Sequence, residues 1–322
     1  VSGVLNNTHD AAGPEMRERI LEMIEQMNYS PSAVARGLSR RRMNTLGVVM
    51  QYDWGTVIAD QHVGPIFDGI VTRNTTMKQK TLLYPEPWSK AMANLPSFCD
   101  GFCDGILLIV PMVPTEFFER LIRRRLPFVI IGDSRTEENY TVVDVDNVDA
   151  GRQITSHLIE LGHRRIAMLR GNDDHCSSVL RAQGYKESLQ TARVQYDPSL
   201  DIHCGYTSST GYQHTAALMD RPLSQRPTAL FCGDDRIAFG ALDALADRGI
   251  RVPEDISVVG INDSIEGAAM PVPLTSFQQP GRLIGNRSVD MLIFQITGEE
   301  QPGRKVAIPG KLIIRRTSGP VP

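Results

Sequence analysis

From position 46 onward, short apolar runs alternate with longer segments whose apolar residues recur at helical spacing. The runs cover 46–50, 81–84, 105–110, 128–131, 166–169, 229–232 and 257–261. Helical patterns lie between them at 115–125, 148–161, 180–190, 211–219 and 237–248. Runs this short and this apolar predict strands buried on both faces, as parallel pairing requires. Sustained strand–helix alternation predicts a doubly wound α/β architecture. Such sheets bind ligands beyond the carboxyl ends of their strands, so the loops that follow each run are where chemistry is expected.

The first 45 residues follow another pattern. Gly13-Pro14-Glu15 predicts a helix start, because proline suits the first turn and glutamate the positive end of the dipole. Met16, Ile20, Met23, Ile24 and Met27 then give that helix one apolar face, and Tyr29-Ser30-Pro31 ends it. Between Ser32 and Thr45 stand Arg36, Arg40, Arg41 and Arg42 with no acidic residue. Either this stretch is a plain linker with a solvated basic surface, or its arginines meet phosphates.

Length and charge narrow the choice. The 322 residues suffice for two domains or one domain of two lobes. A net charge of −3 means that any nucleic-acid contact must come from a local patch. The five cysteines, Cys99, Cys103, Cys176, Cys204 and Cys232, are odd in number with no repeated spacing, which predicts a reducing, cytoplasmic setting. No apolar stretch is long enough to span a membrane, and the polar first ten residues do not resemble a signal peptide. No nucleophile elbow, zinc-binding histidine pair, phosphate loop or dinucleotide fingerprint is present, so no catalytic residue, cofactor or enzymatic activity is expected. Cys99 and Cys103 form one pair without a second, so no metal site is expected either.

Five blocks resemble one family. Asn28-Tyr29-Ser30-Pro31-Ser32-Ala33-Val34-Ala35-Arg36-Gly37-Leu38 resembles the hinge of the lactose-repressor/galactose-repressor (LacI/GalR) family, and especially that of its purine-repressor branch. Leu161-Gly162-His163-Arg164-Arg165-Ile166-Ala167, Arg226-Pro227-Thr228-Ala229-Leu230-Phe231, the segment from Gly249 to Gly260, and Pro273-Leu274-Thr275-Ser276 with Gln279-Pro280 are similar to further family motifs in the same order. The resemblance implies a two-lobed core like the type I periplasmic binding proteins, with parallel sheets, behind the remnant of a helix-turn-helix head. Residues 1–45 would be the partial head and hinge, and 46–322 the effector-binding and dimerisation core. Within that core 46–145 would pair with 279–308, and 146–278 with 309–322. Val1-Ser2-Gly3-Val4-Leu5-Asn6 would be the end of the recognition helix, with the first helix lying upstream of the sequence.

The same resemblance assigns roles. Ser2, Gly3 and Asn6 fall on the recognition helix, while Tyr29, Ala35, Arg36, Arg40, Arg41 and Arg42 fall on or beside the hinge at the DNA. Leu38 would wedge into the central minor-groove step of a pseudo-palindromic operator bound by a homodimer. Arg181 matches the family's effector-binding arginine, Tyr206 its aromatic lid, and Asn262 a position that relatives usually fill with aspartate. Asp234 and Asp235 end a strand; each can accept from a ligand, and Asp235 can equally cap the following helix. Asp53, Trp54 and His62 from the first lobe, with Asp133 and His175, complete the candidates; Trp88 is expected to pack. His163 is expected to be structural rather than a base. The Arg181, Asn262 and aromatic set favours a sugar effector. The alternative is a transport solute-binding protein with the same core, which has no use for the basic segment 33–42.

Overall fold

Two six-stranded sheets carry the chain from Thr45 onward in the computed structural model. It describes residues 4, 13–29, 37, 42–50, 60–85, 87–133 and 139–321. Ser2, Gly3, Asn6, Ala35, Arg36, Leu38, Arg40, Arg41, Asp53 and Trp54 lie outside the described residues.

The first sheet has the order β11-β5-β4-β3-β1-β2, built from β1 (Thr45–Val49), β2 (Lys80–Tyr84), β3 (Gly105–Ile109), β4 (Phe128–Ile131), β5 (Val142–Val145) and β11 (Lys305–Ile308). All of its pairings are parallel. Alternation along each strand splits the core. Val48, Leu107 and Ile131 face one side, under α2 (Val63–Thr76) and α9 (Gly281–Thr297). Val49, Leu108 and Ile130 face the other, under α3 (Ala91–Phe98) and α4 (Thr115–Arg123). There Phe98, Phe117 and Phe118 stack edge to face, and Trp88 packs against Phe117.

The second sheet runs β12-β10-β9-β8-β6-β7, from β6 (Ile166–Arg170), β7 (Asp201–His203), β8 (Ala229–Cys232), β9 (Ser257–Ile261), β10 (Thr275–Gln278) and β12 (Lys311–Ile313). It is covered by α5 (Asn147–Glu160), α6 (Cys176–Thr191), α7 (Ser208–Met219) and α8 (Asp235–Ala246). The chain therefore passes between the sheets three times: after β5, after β10 and between β11 and β12.

Two details differ from the expected pattern. The run at 81–84 is apolar, yet β2 is an edge strand with Leu83 exposed, because no strand among the described residues pairs beyond it. β12 pairs antiparallel with β10, against the otherwise parallel grain. In the N-terminal part, α1 (Pro14–Gln26) forms where Gly13-Pro14-Glu15 predicts it, but none of its side chains is buried. Tyr29 follows it, exposed, and Arg42 leads into β1, where Asp104 accepts from the Met43 and Asn44 amides at 2.7 and 2.8 Å. No described helix is long and apolar enough to cross a membrane.

Candidate interlobe binding site

A cavity of about 550 Å³ opens between the carboxyl ends of the two sets of strands. Asp60, His62, Val63, Val110, Met112, Gly132 and Asp144 line it from the first sheet's side. From the other come Asn172, Asp174, His175, Ser177, Arg181, Tyr206, Thr207, Asp234, Arg236, Asn262 and Gln279.

Arg181 enters from the second turn of α6 and is buried. Its Nε donates to Asn147 Oδ1 at 2.8 Å and its Nη1 to the Gly233 carbonyl at 2.9 Å. Those two bonds fix the guanidinium plane, so the charge is aimed before any ligand arrives. Tyr206 lies beside it, its ring edge-on to the His175 imidazole with centroids 5.2 Å apart. The Tyr206 ring sits directly on the backbone at Gly171, where a Cβ would come within 1.9 Å of Tyr206 Cζ. Glycine at 171 is therefore a steric condition for the aromatic wall.

Asn262 follows β9 with φ at +114°, a backbone that side chains rarely adopt and that marks a position held by its surroundings. Its amide nitrogen donates to Asp234 Oδ2 at 2.9 Å, and its Oδ1 accepts from Gln279 Nε2 at 2.6 Å. The other Asp234 oxygen accepts from the Arg236 amide at 2.8 Å, capping α8, and from Arg236 Nε at 3.2 Å. Arg236 Nη1 then reaches across the cavity to within 3.7 Å of Asp60 Oδ2. Asp60 is itself anchored at the start of α2, accepting from the His62 and Val63 amides, each at 2.9 Å. A continuous polar chain thus runs from Gln279 through Asn262, Asp234 and Arg236 to Asp60.

Electrostatics follow from burial. His62 is pushed from 6.5 to about 4, by desolvation first and then by Arg181, Arg236 and His175, against the pull of Asp60. Desolvation also lowers the His175 pKa and raises those of Asp234 and Tyr206.

The structure brings His62, His175, Arg181, Tyr206, Asp234 and Asn262 to this one cavity. Asp235 is turned away from it and fully buried. Its oxygens accept from the Ser264 amide at 2.8 Å and Ser276 Oγ at 2.7 Å, and desolvation lifts its pKa to about 6. The helix cap is Asp234, not Asp235. Gly260 makes room for the buried carboxylate, since a Cβ there would meet Asp235 Oδ1 at 2.2 Å. Asp133 follows Gly132 and is buried without lining the cavity. Asp263, beside Asn262, is engaged elsewhere: its carboxylate accepts from Gln278 and Arg315. His163 is buried far along the second sheet, bonded to Thr228, Ser257 and the Gly319 carbonyl.

Sequence reasoning did not single out Asp60, Arg236 or Gln279 as site residues. Arg236 adjoins the Asp234-Asp235 pair, and Gln279 belongs to a motif noted only as a motif. For Asp60 no sequence signal existed beyond its place in a loop.

Two α/β lobes with a polar cleft at their strand ends, joined by three crossings, define a core of the periplasmic-binding-protein kind. Residues 155–318 match the family model for the periplasmic binding protein-like domain. The chain belongs to the LacI/GalR family of transcriptional regulators. It is 31% identical over 320 residues to the HTH-type transcriptional regulator CelR of Thermobifida fusca, covering 98% of this chain and 93% of that one. The HTH-type transcriptional repressor PurR of Haemophilus influenzae (strain PittEE) is 29% identical over 98% of this chain and 94% of its own. Among solved structures, a CelR–cellobiose complex superposes with a TM-score of 0.79 at 29% identity, over 98% of this chain and 94% of that one. The lac repressor dimer bound to operator and the anti-inducer ONPF shares the fold, with a TM-score of 0.84 at 23% identity over 99% and 94% of the two chains.

Proposed function

We propose that the protein is a DNA-binding transcriptional repressor whose hold on its operator is set by a sugar captured in the interlobe cleft. The observation that carries the reading is the pre-aimed Arg181, joined in one cavity by Asn262 and the Tyr206 ring. Planar donors, an amide that donates and accepts, and an aromatic face are what a sugar's hydroxyls and C–H surface call for. Relatives supply the precedent, one of them solved with cellobiose.

In this reading the lobes 46–145 with 279–308 and 146–278 with 309–322 close on the ligand. Two chains associate over a pseudo-palindromic site. Lobe rotation alters the spacing of the paired hinges, so Leu38 enters or leaves the minor groove. Arg36, Arg40, Arg41 and Arg42 hold phosphates and make the affinity salt-dependent. Coupling is reciprocal: a sugar that weakens DNA binding is weakened by DNA to the same degree.

The test selects a duplex from a random pool with a full-length chain and measures its affinity with and without sugars. A bound sugar shifts operator affinity, and Leu38→Ala weakens the operator while sparing the sugar. Operator affinity indifferent to a sugar that calorimetry shows to be bound refutes the scheme.

A further inference from the structure

We infer that the cleft is a charge filter: it accepts an uncharged, hydroxyl-rich sugar and rejects phosphorylated or carboxylated ones. The inference rests on the cleft being the sugar site and adds the charge class of the ligand.

Among the described residues that line the cavity, the carboxylates of Asp60, Asp144, Asp174 and Asp234 outnumber the guanidinium groups of Arg181 and Arg236. The two lining histidines do not redress the balance near neutral pH, since burial keeps both imidazoles neutral there. Of the two cations, Arg181 is positioned by neutral partners and Arg236 is already committed to carboxylates. Arg181 is held by Asn147 and the Gly233 carbonyl, and Arg236 lies between Asp234 and Asp60. A phosphate drawn to Arg181 would stand among these carboxylates, and to gain a second cation it would have to take Arg236 from Asp234 and Asp60. In a partly desolvated cleft that repulsion is far stronger than in water.

The neutral polar atoms point the same way. Gln279 Oε1 is buried and has no donor among the described residues, because the amide's nitrogen is turned to Asn262. An acceptor left open in this way is satisfied by a hydroxyl and repelled by a phosphate oxygen. The cavity's size of about 550 Å³ suits a ligand of one or two sugar rings.

The experiment is calorimetric titration of the full chain at neutral pH with matched probes: glucose, cellobiose and maltose, each against its 6-phosphate, with adenine, guanine and hypoxanthine as a separate arm. The expected result is that a neutral sugar binds and its phosphate binds weaker by on the order of a hundredfold or more. In the Asp60→Asn variant, which keeps an oxygen to accept from the His62 and Val63 amides, that ratio narrows by about tenfold. A phosphate binding as tightly as its parent sugar overturns the filter and leaves the sugar reading standing. A ratio unmoved by Asp60→Asn also overturns it, since charge is then not the cause. A nucleobase that binds where no sugar of either kind does overturns the sugar reading itself, and the filter with it.

Discussion

Asp60 and Arg236 stand on opposite sides of the cleft, and their charged groups lie 3.7 Å apart across it. The Arg236 guanidinium also serves Asp234 on its own side at 3.2 Å. A second link, Gln61 Nε2 to Glu266 Oε2 at 3.1 Å, bridges the lobes nearby. Partly exposed pairs of this kind contribute only ~0.2–1 kcal/mol. They bias a closed geometry rather than lock it.

Arg236→Gln is therefore expected to open the ligand-free protein. Small-angle scattering of the variant should show a larger radius of gyration, and sugar affinity should fall by roughly fivefold as closure loses about 1 kcal/mol. Identical scattering profiles for variant and parent would rule out a role for the bridge in setting the resting geometry.

Arg181 holds the fold as well as the ligand. Arg181→Ala strips the Asn147 side-chain oxygen and the Gly233 carbonyl of a buried donor. The expected cost is ~1–3 kcal/mol in urea denaturation, together with loss of the calorimetric signal for sugar. Arg181→Lys keeps the charge but not the planar fork, so it should recover part of the stability and little of the binding. Full stability in the alanine variant contradicts this account of the residue.

At Gly171 the smallest possible side chain is already too large. Gly171→Ala drives a methyl into the Tyr206 ring and displaces the aromatic wall. Sugar affinity should drop at least about tenfold, in line with losing an aromatic contact, while operator binding in the absence of ligand is retained. Unchanged sugar affinity would show that the ring takes no part in binding.

Much of the architecture was legible because its strands are so uniformly apolar. The run at 229–232 coincides with β8, and 257–261 coincides with β9. β5 and β11 escaped notice for a physical reason: Val142–Val145 contains a buried aspartate, and Lys305–Ile308 is an edge strand with exposed positions. Family likeness located Arg181, Tyr206 and Asn262, since each sits at a fixed offset from a strand. It had no means of deciding between Asp234 and Asp235. That choice depends on a single rotation of the backbone at the start of α8, which turns one carboxylate into the cavity and the other into the core. Asp60 and Arg236 acquire meaning only when the lobes face each other, and no periodicity in the chain reports that.

Acid should weaken the fold through the cleft. His62 titrates near 6.5 when unfolded and at about 4 in the folded protein, so between those values the unfolded chain binds more protons. Its contribution is undiminished above pH 6.5, declines as the pH falls toward 4, and levels off below. His157, His163 and His175 are shifted in the same direction. Asp235 opposes them, because its raised pKa costs stability as the pH rises from 3.8 through about 6. Urea midpoints measured from pH 7 to 4 should fall less steeply for His62→Gln than for the parent. Parallel curves would sink the assignment.

The three passages of the chain between the sheets have an evolutionary corollary. No single stretch of the gene encodes a complete half, because each sheet takes its last strand from beyond the other's territory. Recombination between relatives at one breakpoint would mate an unmatched floor with a foreign edge. A single crossover between two such genes therefore cannot hand over one whole lobe, and with it one whole wall of the cleft.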